Sequence, residues 1–292
     1  MTGMGDRFVA VDWGTTNRRA FLIENGAVLR TDRDACGILG VGEGGFPAAV
    51  AELRARFDGL PLLLAGMVGS NRGWIDAGYV PCPATLEALA AALVRPEEGV
   101  AVVPGVSQLA DGRADVMRGE EVQFLGAVAG GLVPADALLA QPGTHNKWAR
   151  LSGGAITGFT TAMTGEMFGL LRRHALIGSA MTGDVADGPA FRHGVADAQG
   201  GDLLARLFGV RPASLLGVRD DADAAAYVSG LLIGSDCACR LSEAGGTVYL
   251  LADEDLGSLY RVAIEAAGGT AVRVDSHAAF VAGVARIWEL VR

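Results

Sequence analysis

The stretch "VAVDWGTTNRRAFLI", residues 9–23, decides the fold. Its apolar flanks read as two strands, and the run between them is broken by Asp12, Gly14, Thr15 and Thr16. A strand ending in Asp12 puts a carboxylate at the rim of a sheet, and Trp13-Gly14 let the chain turn sharply there. Thr15, Thr16 and the backbone N–H groups of the turn can then face an anionic oxygen, while Asp12 can hold Mg²⁺ through water. That would be phosphate binding by a hairpin in place of a helix N-terminus. The competing reading is a polar hairpin tip without a ligand.

Working outward, residues 8–12, 19–23 and 27–31 form a three-stranded meander, with Asn25-Gly26 as the second turn. "GFPAAVAELRARF" then reads as a helix, "PLLLAGMVG" as a buried strand, "ATLEALAAALV" as a helix, "GVAVVPGV" as a strand and "RGEEVQFLGAVAGGL" as a helix. A similar series restarts after Pro134. "ALLAQPG", "KWARLSG" and "AITGFTTAM" are three strands with Gly153-Gly154 as a hairpin turn, and Thr164 opens the helix "TGEMFGLLRRHAL". An irregular insertion over residues 181–216, with a helix near "DLLARLF", precedes the closing helix, strand, helix, strand and helix. The expectation is an α/β protein of two lobes, residues 1–133 and 134–292, each βββαβαβα, with a cleft between them.

Composition removes several alternatives. The chain has 292 residues, half of them hydrophobic, and a net charge of −9 with acids and bases interspersed. Neither a nucleic-acid face nor a membrane-binding helix fits that pattern. No apolar run is long enough to span a bilayer and no basic leader precedes an apolar block, so a cytoplasmic location is expected. Cys36, Cys82, Cys237 and Cys239 are scattered, which suits reduced structural thiols and no zinc site. Of 24 basic residues one is lysine, Lys147, and it stands in "THNKWA". A phosphate loop needs Gly-Lys-Ser/Thr, so that class of NTPase is excluded, as is a protein-kinase layout. "GVGEGG" places Gly40, Gly42 and Gly45 in a dinucleotide-like spacing, but the segment before it is a poor strand, and a loop near the substrate is the better reading.

Two further motifs carry chemistry. In "QPGTHNKWARL", Gly143-Thr144 lies between strands at the start of the second half, so each half presents one Gly-Thr hairpin. Two such tips can clamp a nucleotide's phosphates, with His145 or Lys147 adding charge. In "RGEEVQFLGAV", Glu120 or Glu121 sits in the first turn of a helix, where phosphoryl transfer to an alcohol would need a carboxylate. A simpler role for such acids is a favourable interaction with the helix dipole.

Together "VDWGTTNRRAFL", "AGMVGSNRGWIDAGYVPCPA", "DVMRGEEVQFLGA", "PGTHNKW" and "FTTAMTGEMFGLL" resemble the 2-dehydro-3-deoxygalactonokinase family, over nearly the whole chain. The most specific parts are residues 66–84 and 143–148. The resemblance implies ribonuclease H-like lobes of the actin-like ATPase type. It also implies ATP- and Mg²⁺-dependent phosphorylation of 2-dehydro-3-deoxy-D-galactonate at its 6-hydroxyl, in galactonate and galactose breakdown. By that likeness Asp12 takes the metal side, Gly14, Thr15 and Thr16 the first phosphate motif, and Gly143, Thr144 and His145 the second. "GEEVQFLGA" is similar to the "GDQQAALFG" pattern of glycerol kinases, which ranks Glu120 above Glu121 as the base. An acidic sugar needs a cation: Arg72 is the first choice and Arg19 the second, with Ser70, Asn71, Trp74 and Tyr79 lining the pocket. Asn146 stands where the family usually has Ser, and Ala252 where related chains tend to have Gly near the adenosine. Sugar acid and ATP are the expected partners, with an oligomer possible. The alternatives are a kinase for another keto-deoxy sugar acid or a non-catalytic sensor on the same fold.

Overall fold

The computed structural model describes residues 7–110, 112–241 and 246–292. The chain divides into two compact units, one of Met1–Asp136, Ala149–Phe159 and Asp275–Arg292, the other of Ala137–Trp148 and Thr160–Val274.

In the first unit, strands β1 (Arg7–Trp13), β2 (Arg18–Glu24) and β3 (Ala27–Asp34) are the meander, and helix α1 (Phe46–Arg56) follows. Next come β4 (Leu62–Ala65), β5 (Tyr79–Pro81), α2 (Leu86–Ala91), β6 (Val94–Glu97), β7 (Val100–Val102), β8 (Gly105–Ala110), β9 (Arg113–Met117) and α3 (Glu120–Ala129). The main sheet has the order β3-β2-β1-β4-β7-β6, with β1, β4 and β7 parallel and the meander antiparallel. β1 is central, so both of its faces are buried. Val9, Val11 and Trp13 join Val50 and Leu53 of α1 in one core cluster. Phe8, pointing the other way, stacks on Trp288 with ring centroids 4.4 Å apart. Arg18 is buried between the Trp13 ring and Asp34, 2.8 Å from its carboxylate, which fixes the base of the first hairpin.

The other sheet has the order β12-β11-β10-β13-β14, built from β10 (Ala137–Gln141), β11 (Asn146–Ser152), β12 (Ala155–Ala162), β13 (Thr247–Leu251) and β14 (Thr270–Val274). Its helices are α4 (Thr164–His174), α5 (Pro189–Ala198), α6 (Leu203–Phe208), α7 (Val210–Leu215), α8 (Asp221–Leu241) and α9 (Glu254–Ala266); α10 (Ser276–Leu290) ends the chain. Antiparallel meander, then parallel strands, in the order 3-2-1-4-5, therefore occurs twice. The α/β class and the ribonuclease H-like strand order expected from the sequence are what the sheets show.

Several details differ from the sequence reading. The segment read as one strand in "GVAVVPGV" is two, β7 and β8, split at Val103-Pro104, and β8 pairs with β5 and β9 in a separate three-stranded sheet. The segment read as one helix in "ATLEALAAALV" stops at Ala91, and β6 begins at Val94. The division at 133/134 assigned Ala149–Phe159 and α10 to the second lobe, but both group with the first unit. Backbone bonds between Ala84 and Ile156, and the Phe159 N–H donated to Gln108 Oε1 at 2.7 Å, hold the first segment. α10 packs on α3 through glycines: a Cβ on Gly126 would lie 2.0 Å from the Ala279 carbonyl oxygen, and one on Gly283 would lie 2.3 Å from that of Val122. Among the described residues no helix is long and apolar enough to cross a membrane.

Because backbone meets backbone at that crossing, Gly126→Ala must push α3 and α10 apart. We expect a loss of about 3 kcal/mol in urea unfolding, the upper range for overpacking; an unchanged midpoint would show that the helices do not cross this closely.

Candidate active site

In the first unit the site is assembled by two glycines. Asp12 is paired with Arg19 across β1 and β2 and with Ala65 across β1 and β4, so it stands where β4 gives way to Gly66. Gly66 has φ 93°, and a Cβ there would lie 2.9 Å from the Trp13 carbonyl oxygen and 3.5 Å from Asp12 Oδ1. Gly119, with φ 103°, immediately precedes α3, and a Cβ on it would lie 3.2 Å from Gly66 Cα. Only glycine tolerates this backbone conformation at such range. The stack carries the N-terminus of α3, and Glu120 with it, to the end of β1.

Electrostatics records the proximity. Burial pushes the Asp12 carboxyl up to about 6; Arg19 beside it pulls down and the Glu120 charge pushes up. Glu120 is half-buried and its Oε2 accepts the Arg118 N–H at 3.1 Å. Glu121 is fully buried; its Oε2 accepts the Gly119 N–H at 2.7 Å, and Oε1 has no hydrogen-bond partner. Burial, followed by the neighbouring Glu120 charge, pushes Glu121 up to about 8. The two acids therefore differ in kind: Glu120 faces a reachable space, whereas Glu121 is a neutral acid inside the unit at pH 7.

At the hairpin tip the Gly14 N–H donates to the Asn17 carbonyl at 2.9 Å, and Thr15, Thr16 and Asn17 are exposed. The carbonyls of Gly14, Thr15 and Thr16 accept N–H groups from residues 37–39, at 3.0–3.1 Å. A Cβ on Gly37 would lie 2.3 Å from the Thr15 carbonyl oxygen. With its acceptors engaged underneath, the tip leaves its two threonines in solvent.

The loop after β4 is tightly folded. The Ser70 hydroxyl donates to the Met67 carbonyl at 2.7 Å and Ser70 is buried, while Asn71 and Arg72 are exposed. Trp74 is half-buried and packs against the core cluster under β1, so much of its surface serves that core. Tyr79 is exposed, and the Arg118 guanidinium lies 4.5 Å over its ring and donates to the Gly78 carbonyl at 3.0 Å. Arg118 was missed in the sequence. Its side chain is buried, Nε and Nη1 lack hydrogen-bond partners, and it joins the loop of residues 76–79 to the segment that carries Glu120. Arg19, the second choice for a carboxylate ligand, is half-buried and donates to His277 Nε2.

In the second unit the loop between β10 and β11 holds Gly143, Thr144 and His145. The Gly143 N–H donates to Asn146 Oδ1 at 2.8 Å, the Glu166 N–H donates to the Thr144 carbonyl at 2.9 Å, and His145 Nε2 lies 2.6 Å from Glu166 Oε2. A Cβ on Gly165 would lie 2.4 Å from the Gly143 carbonyl oxygen, so the first turn of α4 rests on this loop. The positive end of a helix dipole thus adjoins the second Gly-Thr tip. Lys147 is 6% exposed, and Nζ donates to Thr161 Oγ1 at 2.8 Å. Beside the loop is a cavity of about 470 Å³, within the range of small-molecule sites; Gly143, Phe168, Leu232, Ile233, Leu259 and Tyr260 form much of its wall. Asp255 and Leu256, in the first turn of α9, also line it; Ala252 does not.

The family model for 2-keto-3-deoxy-galactonokinase matches residues 12–287. The chain belongs to that family. A 2-dehydro-3-deoxygalactonokinase from Escherichia coli (strain K12) is 35% identical over 290 residues, covering 97% of this chain and 98% of the other. A protein of Rhizobium meliloti (strain 1021) bearing the same enzyme name is 37% identical over 301 residues, with 97% and 98% covered. The crystal structure of a Sinorhizobium meliloti protein given that name superposes with TM-score 0.89 at 37% identity, covering 96% of this chain and 97% of the other. The 2-keto-3-deoxy-galactonokinase family is one of phosphotransferases, so this chain is an enzyme of that class. Among the described residues no group of three or more His, Cys, Asp or Glu is gathered as a metal cage. A metal kept mainly by water and phosphate oxygens, with one or two carboxylates, fits Asp12 and its crowded acidic surroundings.

Glu121 gives a pH test. Its pKa rises from 4.5 in the unfolded chain to about 8 in the native one, so between those values the native state holds a proton that the unfolded chain has released. Stability is then full below pH 4.5 and is lost as pH rises toward 8, by an amount on the order of 5 kcal/mol. Glu121→Gln should flatten the dependence of the urea midpoint on pH between 5 and 8; an identical slope in both proteins would refute the neutral buried acid.

Proposed function

We propose that this chain transfers the γ-phosphoryl group of ATP to the 6-hydroxyl of 2-dehydro-3-deoxy-D-galactonate. The observation that carries the reading is the Gly66–Gly119 stack, which sets Glu120 beside Asp12 at the end of β1. Glu120 accepts the proton of the substrate hydroxyl as the new O–P bond forms and the bond from phosphorus to the ADP oxygen breaks. Asp12 would hold Mg²⁺, and when bound that ion would supply positive charge to the phosphate oxygens. The exposed Thr15 and Thr16, with Gly14, receive phosphate oxygens in the first unit. Gly143 and Thr144 receive them in the second, aided by the N-terminus of α4, with His145 at the rim. Lys147 supports this loop from inside through Thr161.

The 470 Å³ cavity takes the nucleoside, because it adjoins the Gly143 loop and offers apolar walls to a flat base with few polar groups to orient it. The sugar acid binds at the loop after β4. Arg72 is exposed and free to fold over a carboxylate, with Asn71 and Tyr79 beside it. Ser70 and Trp74 shape that loop from below, and Arg19 holds the charge balance around Asp12. The enzyme acts in the cytoplasm, in the breakdown of galactonate and galactose.

Glu120→Gln removes the proton acceptor and keeps the shape. In an assay of ADP release with this sugar acid, kcat should fall at least about 100-fold, with nucleotide affinity by calorimetry unchanged. Full turnover in Glu120→Gln would remove Glu120 as the base. No sugar-dependent ADP release from the wild type, with either galactonate-derived or gluconate-derived keto-deoxy acids, would remove the function.

A further inference from the structure

The second Gly-Thr loop is tied down by a buried polar cluster that takes no part in the reaction described above. Asp236 lies on α8, and its side chain is 3% exposed. Its Oδ2 accepts three hydrogen bonds: from Asn146 Nδ2 at 3.0 Å, from Trp148 Nε1 at 3.1 Å and from Thr164 Oγ1 at 3.2 Å. Its Oδ1 has no hydrogen-bond partner and is 3.6 Å from Arg240 Nε. Asn146 works in two directions. Its amide nitrogen donates to Asp236 and to the Tyr260 hydroxyl, while its oxygen accepts the Gly143 N–H. Burial and the Asp236 charge push the Tyr260 phenol well above its ordinary value, so that hydroxyl stays protonated.

We infer that Asp236, acting through Asn146, is a positioning residue for nucleotide phosphate. One buried carboxylate holds both the Gly143–Thr144 loop, through Asn146, and the first residue of α4, through Thr164. Gly143, Thr164 and Tyr260 all line the cavity assigned to the nucleoside. A buried charge is tolerated only when its donors are in place, so the carboxylate enforces one arrangement of the three elements it bonds. The loop is thereby set before the nucleotide arrives, and binding does not have to order it. Neither Asp236 nor Asn146 needs to touch the ligand. This inference rests on the kinase reading of the second unit.

The test is calorimetric titration of wild type, Asn146→Leu, Asp236→Asn and the double variant. Each is titrated with a nonhydrolysable ATP analogue in Mg²⁺ and, separately, with the sugar acid. Asn146→Leu keeps the volume and severs the tie to Gly143. It should weaken nucleotide binding about tenfold, with sugar-acid affinity within about twofold of wild type. Asp236→Asn should weaken nucleotide binding about threefold, and the double variant should be no worse than Asn146→Leu, since both changes cut one linkage. If Asn146→Leu does not fold, Asp236→Asn alone decides by the same selective loss. Unchanged nucleotide affinity, equal loss for both ligands, or additive losses in the double variant would overturn the inference. A wild type that binds no nucleotide overturns the kinase reading itself and this inference with it, an outcome distinct from variants that match an active wild type.

Discussion

The close approach of Gly66 and Gly119 is the constraint on which the first unit's chemistry depends. A β-carbon on either would meet backbone within about the distance at which something must shift, and both residues have positive φ. Without that approach α3 would begin farther from β1, and Glu120 would be an ordinary first-turn acid. With it, the end of a central, fully packed strand and the start of a helix share one small volume. The core then does the positioning: Val9, Val11 and Trp13 fix β1 from one face and Phe8 on Trp288 from the other. Few degrees of freedom remain for Asp12.

The second unit solves a related problem with hydrogen bonds. Its loop between β10 and β11 occupies the place that the Asp12 hairpin occupies in the first unit, after the first strand of the same strand order. Here the loop is held from below by Asn146, Asp236 and Thr164, and from the side by the first turn of α4 lying on Gly143. In the first unit the corresponding tip is held by backbone bonds from residues 37–39. One unit thus gathers acids at the end of a strand, and the other gathers donors beside a cavity.

Much of this was legible in the sequence because it was local. The meander around Asp12, the Gly-Thr tips, the helix opening at Glu120 and the repeated strand series all follow from period and turn chemistry within a few residues. What was not legible depends on partners far along the chain. Nothing near Phe8 announces Trp288, and nothing near Gly126 announces Gly283; so α10, placed by its position in the sequence, was put with the wrong neighbours. The sheet of β5, β8 and β9 was lost because its strands are short and interrupted by Pro81 and Pro104. Asp236 could have been found, as a lone acid within the apolar run "AAAYVSGLLIGSDCAC" of α8, since such a residue demands buried donors. Arg118 carried no comparable signal among so many arginines.

Three carboxyls near one helix N-terminus would repel one another if all were ionised, and the helix dipole offsets only part of that cost. The structure handles this by giving each a different environment. Glu121 is buried and keeps its proton at neutral pH; Asp12 titrates near 6 under the opposing influences of burial and Arg19; Glu120 stays within reach of solvent. A divalent cation beside Asp12 would favour its ionised form and offset its repulsion of Glu120. Because burial keeps Glu121 neutral, no further buried anion stands behind Glu120. The neutral acid therefore adds no third charge at the start of this helix, and its partner-free Oε1 is the residual cost of placing it there.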